Sequence, residues 1–80
     1  MRLPRDVSGE ELAKLLGLLG YKVTRQTGSH LRLTTQAAPE HHITIPSHKA
    51  LRVGTLNDVL KDIAKHLKIS KEEVIRRLWG

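Results

Sequence analysis

Tyr21-Lys22-Val23-Thr24-Arg25-Gln26, then Thr27-Gly28-Ser29, then His30-Leu31-Arg32-Leu33-Thr34-Thr35, is the stretch that decides the fold of this chain. Alternation places Tyr21 and Val23 on the inward side of a first strand and Lys22, Thr24 and Gln26 outward. In the second strand Leu31 and Leu33 share one side, while His30, Arg32 and Thr34 share the other. The three residues between are few enough to close an antiparallel hairpin. A titratable imidazole therefore stands at the mouth of a strand, straight after a tight turn, with a cation on its own polar face. That pairing suits a phosphodiester, where a proton moves and anionic charge needs stabilising.

Upstream of the hairpin, Leu12, Leu15, Leu16 and Leu19 recur at the spacing of one apolar helix stripe, so residues 8 to 19 read as an amphipathic helix. Ser8 and Glu11 have capping-box spacing, and Gly20 suits the left-handed residue that closes a helix. Downstream, Gln36-Ala37-Ala38-Pro39-Glu40 is a looser connection into a third strand from His41 to Ile45, with Ile43 and Ile45 toward the core and His42 and Thr44 away. Pro46 has no N–H to extend a ladder, so residues 47 to 53 read as a loop. Gly54-Thr55 opens a second helix, with Thr55 as its cap, Asp58 in its first turn, and the stripe Leu56, Val59, Leu60, Ile63 and Leu67. Ser70 and Glu73 repeat the capping-box spacing ahead of a short third helix carrying Val74, Ile75, Leu78 and Trp79. The order α-β-β-β-α-α predicts an α+β fold, a three-stranded antiparallel sheet with helices on one face.

Eighty residues are expected to form one domain, 1–80, with a single core and no second domain to hold a cofactor. Function then belongs on the surface. There is no cysteine, which removes disulfides, thiolate zinc sites and a cysteine nucleophile, and fits a reducing cytoplasm. No apolar run approaches the roughly 20 residues of a membrane span. Met1-Arg2-Leu3-Pro4-Arg5-Asp6 lacks the apolar core of a signal peptide, so a soluble, cytoplasmic chain without a membrane partner is expected. Fourteen Lys and Arg against eight Asp and Glu leave a formal charge of +6, which attracts polyanions, nucleic acid first. The same charge also serves a merely soluble basic protein. Its basic residues are scattered, so any patch is assembled by folding. Tyr21 and Trp79 are the only Tyr, Trp or Phe residues, which leaves recognition to backbone, shape and 2′-hydroxyls more than to stacking on rings.

Gly28-Ser29-His30, then His42-Ile43-Thr44-Ile45-Pro46, then His48 and Leu51-Arg52-Val53-Gly54-Thr55-Leu56 ahead of an apolar helix, together resemble the HicA family of toxin ribonucleases. The resemblance runs from about Ser8 to Trp79, and its parts occur in order at close spacing. It implies a fold similar to the double-stranded RNA-binding domain, cleavage of mRNA without a metal or other cofactor, and restraint by a HicB-like antitoxin. It also implies that His30 is the catalytic histidine and that His48 matches the histidine of the loop after the third strand. The basic tail from Lys65 to Trp79 is longer than the simplest family pattern, and this leaves the antitoxin-facing surface open.

RNA carries its own nucleophile in the 2′-hydroxyl. A base must take that proton, an acid must protonate the departing 5′-oxygen, and cations must balance the pentacovalent phosphate. His30 is the candidate base or acid, with Arg32 or Lys22 as stabiliser. One such group supplies about 10² to 10⁴ in rate. Lys22, Arg25, Ser29, Arg32, Lys49 and Arg52 are the candidate RNA contacts, Ser29 being equally a turn or capping residue. His42 reads as a residue of the polar sheet face, His41 as one at the core rim, and His66 as part of a solvated helix end. No Asp or Cys joins His41, His42 and His48 in a familiar ligand set, so no metal site is expected. Lys61, Lys65 and Lys68 read as a solvated helix face, and Arg76 and Arg77 complement a helix dipole. The alternatives to a ribonuclease are a non-catalytic RNA-binding module on the same sheet, and an interaction module docking a partner through an exposed Trp79.

Overall fold

The structure, a computed structural model, describes residues 3–80. Met1 and Arg2, at the head of the segment read for a leader, lie outside them. Helix α1 (Gly9–Leu16) begins where Ser8 Oγ accepts the Glu11 N–H at 3.0 Å. It tightens into a 3₁₀ turn, Gly17–Leu19, and Gly20 closes it at φ 89°, a left-handed value that a side chain resists. The hairpin of β1 (Tyr21–Gln26) and β2 (His30–Thr35) follows, then β3 (His42–Pro46), α2 (Val53–Leu67) and α3 (Lys71–Trp79). The sheet order is β1-β2-β3, with both pairings antiparallel. This is the expected α+β arrangement.

The apolar stripes meet in one core. Leu12 and Leu16 of α1, Leu33 of β2, Ile45 of β3, Leu56, Leu60 and Ile63 of α2, and Val74 of α3 are fully buried in a single cluster. α1 packs against all three strands, and α3 packs against α2. On the opposite sheet face His30, Arg32, His42 and Thr44 are exposed, while Thr34 is buried. Among the described residues no helix is long and apolar enough to cross a membrane.

Several expectations are corrected. The β1–β2 register shifts between Val23 and Arg25, so that Arg25 faces Arg32 and Gln26 faces Leu31. A bulge of this kind reverses the alternation beyond it, and Gln26 turns to the inner side instead of outward. Val23 shares that side with Leu33 but stays 39% exposed, because β1 is an edge strand. β3 starts one residue late, at His42, and includes Pro46, which as an edge-strand residue forfeits no ladder bond. α2 begins at Val53 behind Arg52, with no side-chain cap. Thr55 therefore lies inside the first turn, and Asp58 lies beyond it. Trp79 is half-buried and packs on the core, which removes it as an exposed anchor.

The start of α3 is capped by one hydroxyl, Ser70 Oγ accepting the Glu73 N–H at 3.0 Å. Losing such a cap costs about 1 kcal/mol, which in a domain of this size is a fall of about 4–8 °C. Ser70→Ala should show that fall in thermal unfolding followed by circular dichroism.

Candidate active site

The Thr27–His30 turn is closed by its own groups. The Thr27 N–H donates to the His30 carbonyl at 2.9 Å, and the His30 N–H donates to Thr27 Oγ1 at 3.1 Å. Ser47, the residue after β3, donates its N–H to the Ser29 carbonyl at 2.9 Å and its hydroxyl to the Gly28 carbonyl at 3.2 Å. With His30 opposite Pro46, the turn is tied to β3 as well as to β1. On this mount the His30 ring is exposed, and its Nδ1 lies 2.9 Å from Ser29 Oγ. The hydroxyl orients one ring nitrogen and leaves Nε2 for a ligand.

The cations divide into two groups. Arg32 shares the His30 face two residues along β2, about 7 Å away. The bulge sets Arg25 directly across from Arg32. Like charges opposite each other in a ladder repel, and an anion between them relieves the repulsion. Lys22 is on the same face but pairs with Thr34, four residues from His30 or about 13 Å along the strand. Lys49 and Arg52 are exposed on the loop that leaves β3. That loop is fastened by the Gly9 N–H to the His48 carbonyl at 2.9 Å and by the Leu51 N–H to the Val7 carbonyl at 2.7 Å. Ser29, Arg25 and Arg32 thus gather at the His30 end, whereas Lys22 does not. His48 is exposed two residues beyond Pro46.

Two histidine arrangements depend on contacts distant in sequence. On the outer face, Thr24 Oγ1, Thr34 Oγ1 and His42 Nδ1 follow one another at 3.0 and 2.8 Å, and His42 Nε2 meets Glu40 Oε1 at 2.9 Å. A carboxylate only accepts, so His42 Nε2 donates to Glu40, while the two threonine hydroxyls hold Nδ1. At the rim of the core, burial and then the Asp62 carboxylate push the Tyr21 phenol up to about 12. The phenol therefore keeps its proton and donates to His41 Nδ1 at 2.7 Å. His41 Nε2 faces Asp62 Oδ1 at 3.4 Å, and the ring stacks on His66 with centroids 4.3 Å apart. His66 is consequently packed, not solvated.

The C-terminal arginines are occupied. Glu73 binds Arg77 at 3.0 Å and also binds Arg76, and these bonds, Arg77 first, hold its carboxyl below the usual range. The free cations nearest His30 are those of the hairpin. Among the described residues no group of three or more His, Asp or Glu side chains is placed to hold a metal ion.

Neither the curated proteins nor the solved structures give a match to this chain. A family model described as HicA toxin of bacterial toxin-antitoxin matches residues 9–64, more than half of the chain. The match spans α1, the whole sheet and all but the end of α2, and so includes the His30 turn and the loop after β3. α3 lies outside it. With the match covering the site-bearing elements and more than half of the chain, the chain belongs to the HicA toxin family.

Proposed function

We propose that residues 1–80 act as one HicA-like domain, a cytoplasmic, metal-independent endoribonuclease that cuts mRNA, inhibits translation and is neutralised by a HicB-like antitoxin. The observation that carries this reading is the His30 mount: an exposed imidazole oriented through Nδ1 by Ser29, on the same face as Arg32 and its cross-strand neighbour Arg25. In this reading His30 Nε2 takes the 2′-hydroxyl proton or delivers one to the 5′-oxygen. The two guanidiniums balance charge on the phosphate as it becomes pentacovalent. Lys22, Lys49 and Arg52 hold neighbouring phosphates, and each phosphate neutralised steepens the salt dependence by about 0.7 log units per decade on a single strand. An acidic antitoxin surface would meet a +6 chain quickly and compete for the same cations.

One observation favours a non-catalytic RNA-binding module. The next imidazole on the outer face, His42, is paired with Thr34, about 13 Å along the sheet from His30. Both of its nitrogens are engaged, so it does not supply a second proton-transfer group at the same phosphate. Incubating the purified full chain with a long single-stranded RNA in excess EDTA decides between the two. Fragments ending in 2′,3′-cyclic phosphate and 5′-hydroxyl are expected. Intact RNA bound by folded protein would leave the binding module.

A further inference from the structure

A groove of about 450 Å³ runs along the free edge of β3, with Arg32, His42 and Thr44 on its sheet side and Asp58 and Asp62 on its α2 side. The geometry points to this groove as a nucleobase site that reads guanine beside the phosphate held at His30. The inference rests on the RNA-cleaving reading and adds a base preference to it.

His42 is an unusual surface histidine, because neither ring nitrogen is available. Nδ1 is held by Thr34 and Nε2 by Glu40. What such a ring still offers is its flat face. An imidazole plane is a platform on which an unstacked RNA base can lie, and His42 lines this groove. The chain is poor in other rings, with one Tyr, one Trp and no Phe. The hydroxyl chain from Thr24 through Thr34 keeps the platform from rotating.

The opposite wall selects what lies there. Asp58 and Asp62 are four residues apart on α2 and so occupy one helix face. Both are exposed, and Glu40 stands nearby on His42. Three carboxylates repel a phosphate, so the groove does not track the RNA backbone even though the chain as a whole is cationic. Carboxylates accept hydrogen bonds and do not donate. Guanine alone presents two adjacent donors, N1–H and N2–H, that one carboxylate can take in bidentate fashion. Uracil offers a single N3–H between two carbonyls, and adenine and cytosine place an acceptor beside their amino group. Asp62 already faces His41 Nε2, which makes Asp58 the reading residue. Arg32, at the sheet side of the groove, stays on the phosphate. It lies two residues from His30, about 7 Å, so a base in the groove belongs to a nucleotide near the scissile one.

The test uses the full chain and fluorescently labelled 2′-O-methyl hexanucleotides, which lack the attacking hydroxyl, read by anisotropy at fixed salt. UUGUUU should bind about tenfold tighter than UUAUUU, UUCUUU or UUUUUU, the discrimination expected of one bidentate pair. Asp58→Asn, which keeps the side-chain shape, and Asp58→Ala, on an exposed helix position, should each remove the preference. Affinity for UUUUUU should stay the same or rise as a negative charge is lost. Equal affinity of the wild type for all four hexamers overturns the assignment, as does a guanine preference that survives both substitutions. Either result leaves the ribonuclease reading intact, because that reading stands or falls on cleavage of the long RNA in EDTA. Failure of both assays removes both.

Discussion

His30→Ala is expected to lower the rate of RNA cleavage by about 10² to 10⁴, the share of one positioned acid or base, while RNA affinity changes by less than about twofold. The two effects separate because of where His30 stands. Its ring is exposed at the end of β2 and is hydrogen-bonded to Ser29 Oγ, so removing it opens no buried cavity. The turn itself is held by Thr27, Ser47 and the backbone, and those bonds remain. Binding draws on charge that the substitution leaves in place at Arg25 and Arg32. Single-turnover cleavage and filter binding on the same preparation, with circular dichroism to show the fold, measure all three quantities. A variant that cleaves as well as the wild type would dismiss His30 as the proton-transfer group. One that loses binding and cleavage together would make it an RNA contact.

The hairpin was legible because it is written in local alternation. Leu31 and Leu33 are buried, and His30 and Arg32 are exposed, as a period of two demands. The helices were legible from their stripes and from two serine caps, both of which accept the N–H three residues on. What escaped depends on partners distant in sequence. Nothing within Val23-Thr24-Arg25 announces a bulge, because a bulge exists only relative to the opposite strand, yet it is the feature that sets Arg25 against Arg32. Thr55 is a good cap by type, yet the backbone is already helical from Val53 behind Arg52.

The histidines show the same division. Alternation alone places His42 on the polar face, where it is exposed. Its two engaged nitrogens were not readable, since Thr34 lies eight residues away across the β2–β3 pairing. His41 and His66 are stacked although 25 residues separate them in the chain. A histidine near a helix end reads as solvated until the neighbouring layer is known. In the candidate site the residue types and their face came from sequence, and the mount that holds them came from the tertiary contacts of Ser47.

Gly9→Ala is expected to lower the melting temperature by about 4 to 24 °C, against local propensity, which favours alanine over glycine in a helix by roughly 0.5–1 kcal/mol. The reason is a close approach of backbones that only a residue without Cβ permits. The Gly9 N–H donates to the His48 carbonyl at 2.9 Å. A Cβ built on Gly9 would run into the Pro46 carbonyl oxygen, with the Pro46 carbonyl carbon at 3.0 Å and Ser47 Cα at 3.1 Å. Those are backbone atoms, unable to rotate aside as a side chain does. Pro46 is paired with His30, and Ser47 is bonded to Ser29, so relief must come from moving α1 or from loosening the turn that carries His30. Overpacking of this kind costs about 1–3 kcal/mol, and each kcal/mol is worth about 4–8 °C in a domain of this size. Gly17→Ala is the control: its φ of −57° is helical, and a Cβ there meets nothing within 4 Å. That variant should be as stable as the wild type or more so. Cleavage by Gly9→Ala, measured well below its melting temperature, should also fall, because the loop after β3 and the His30 turn share the strained segment. A Gly9→Ala chain that melts with the wild type would mean that α1 does not rest on Pro46, and the link between the helix layer and the His30 mount would be lost.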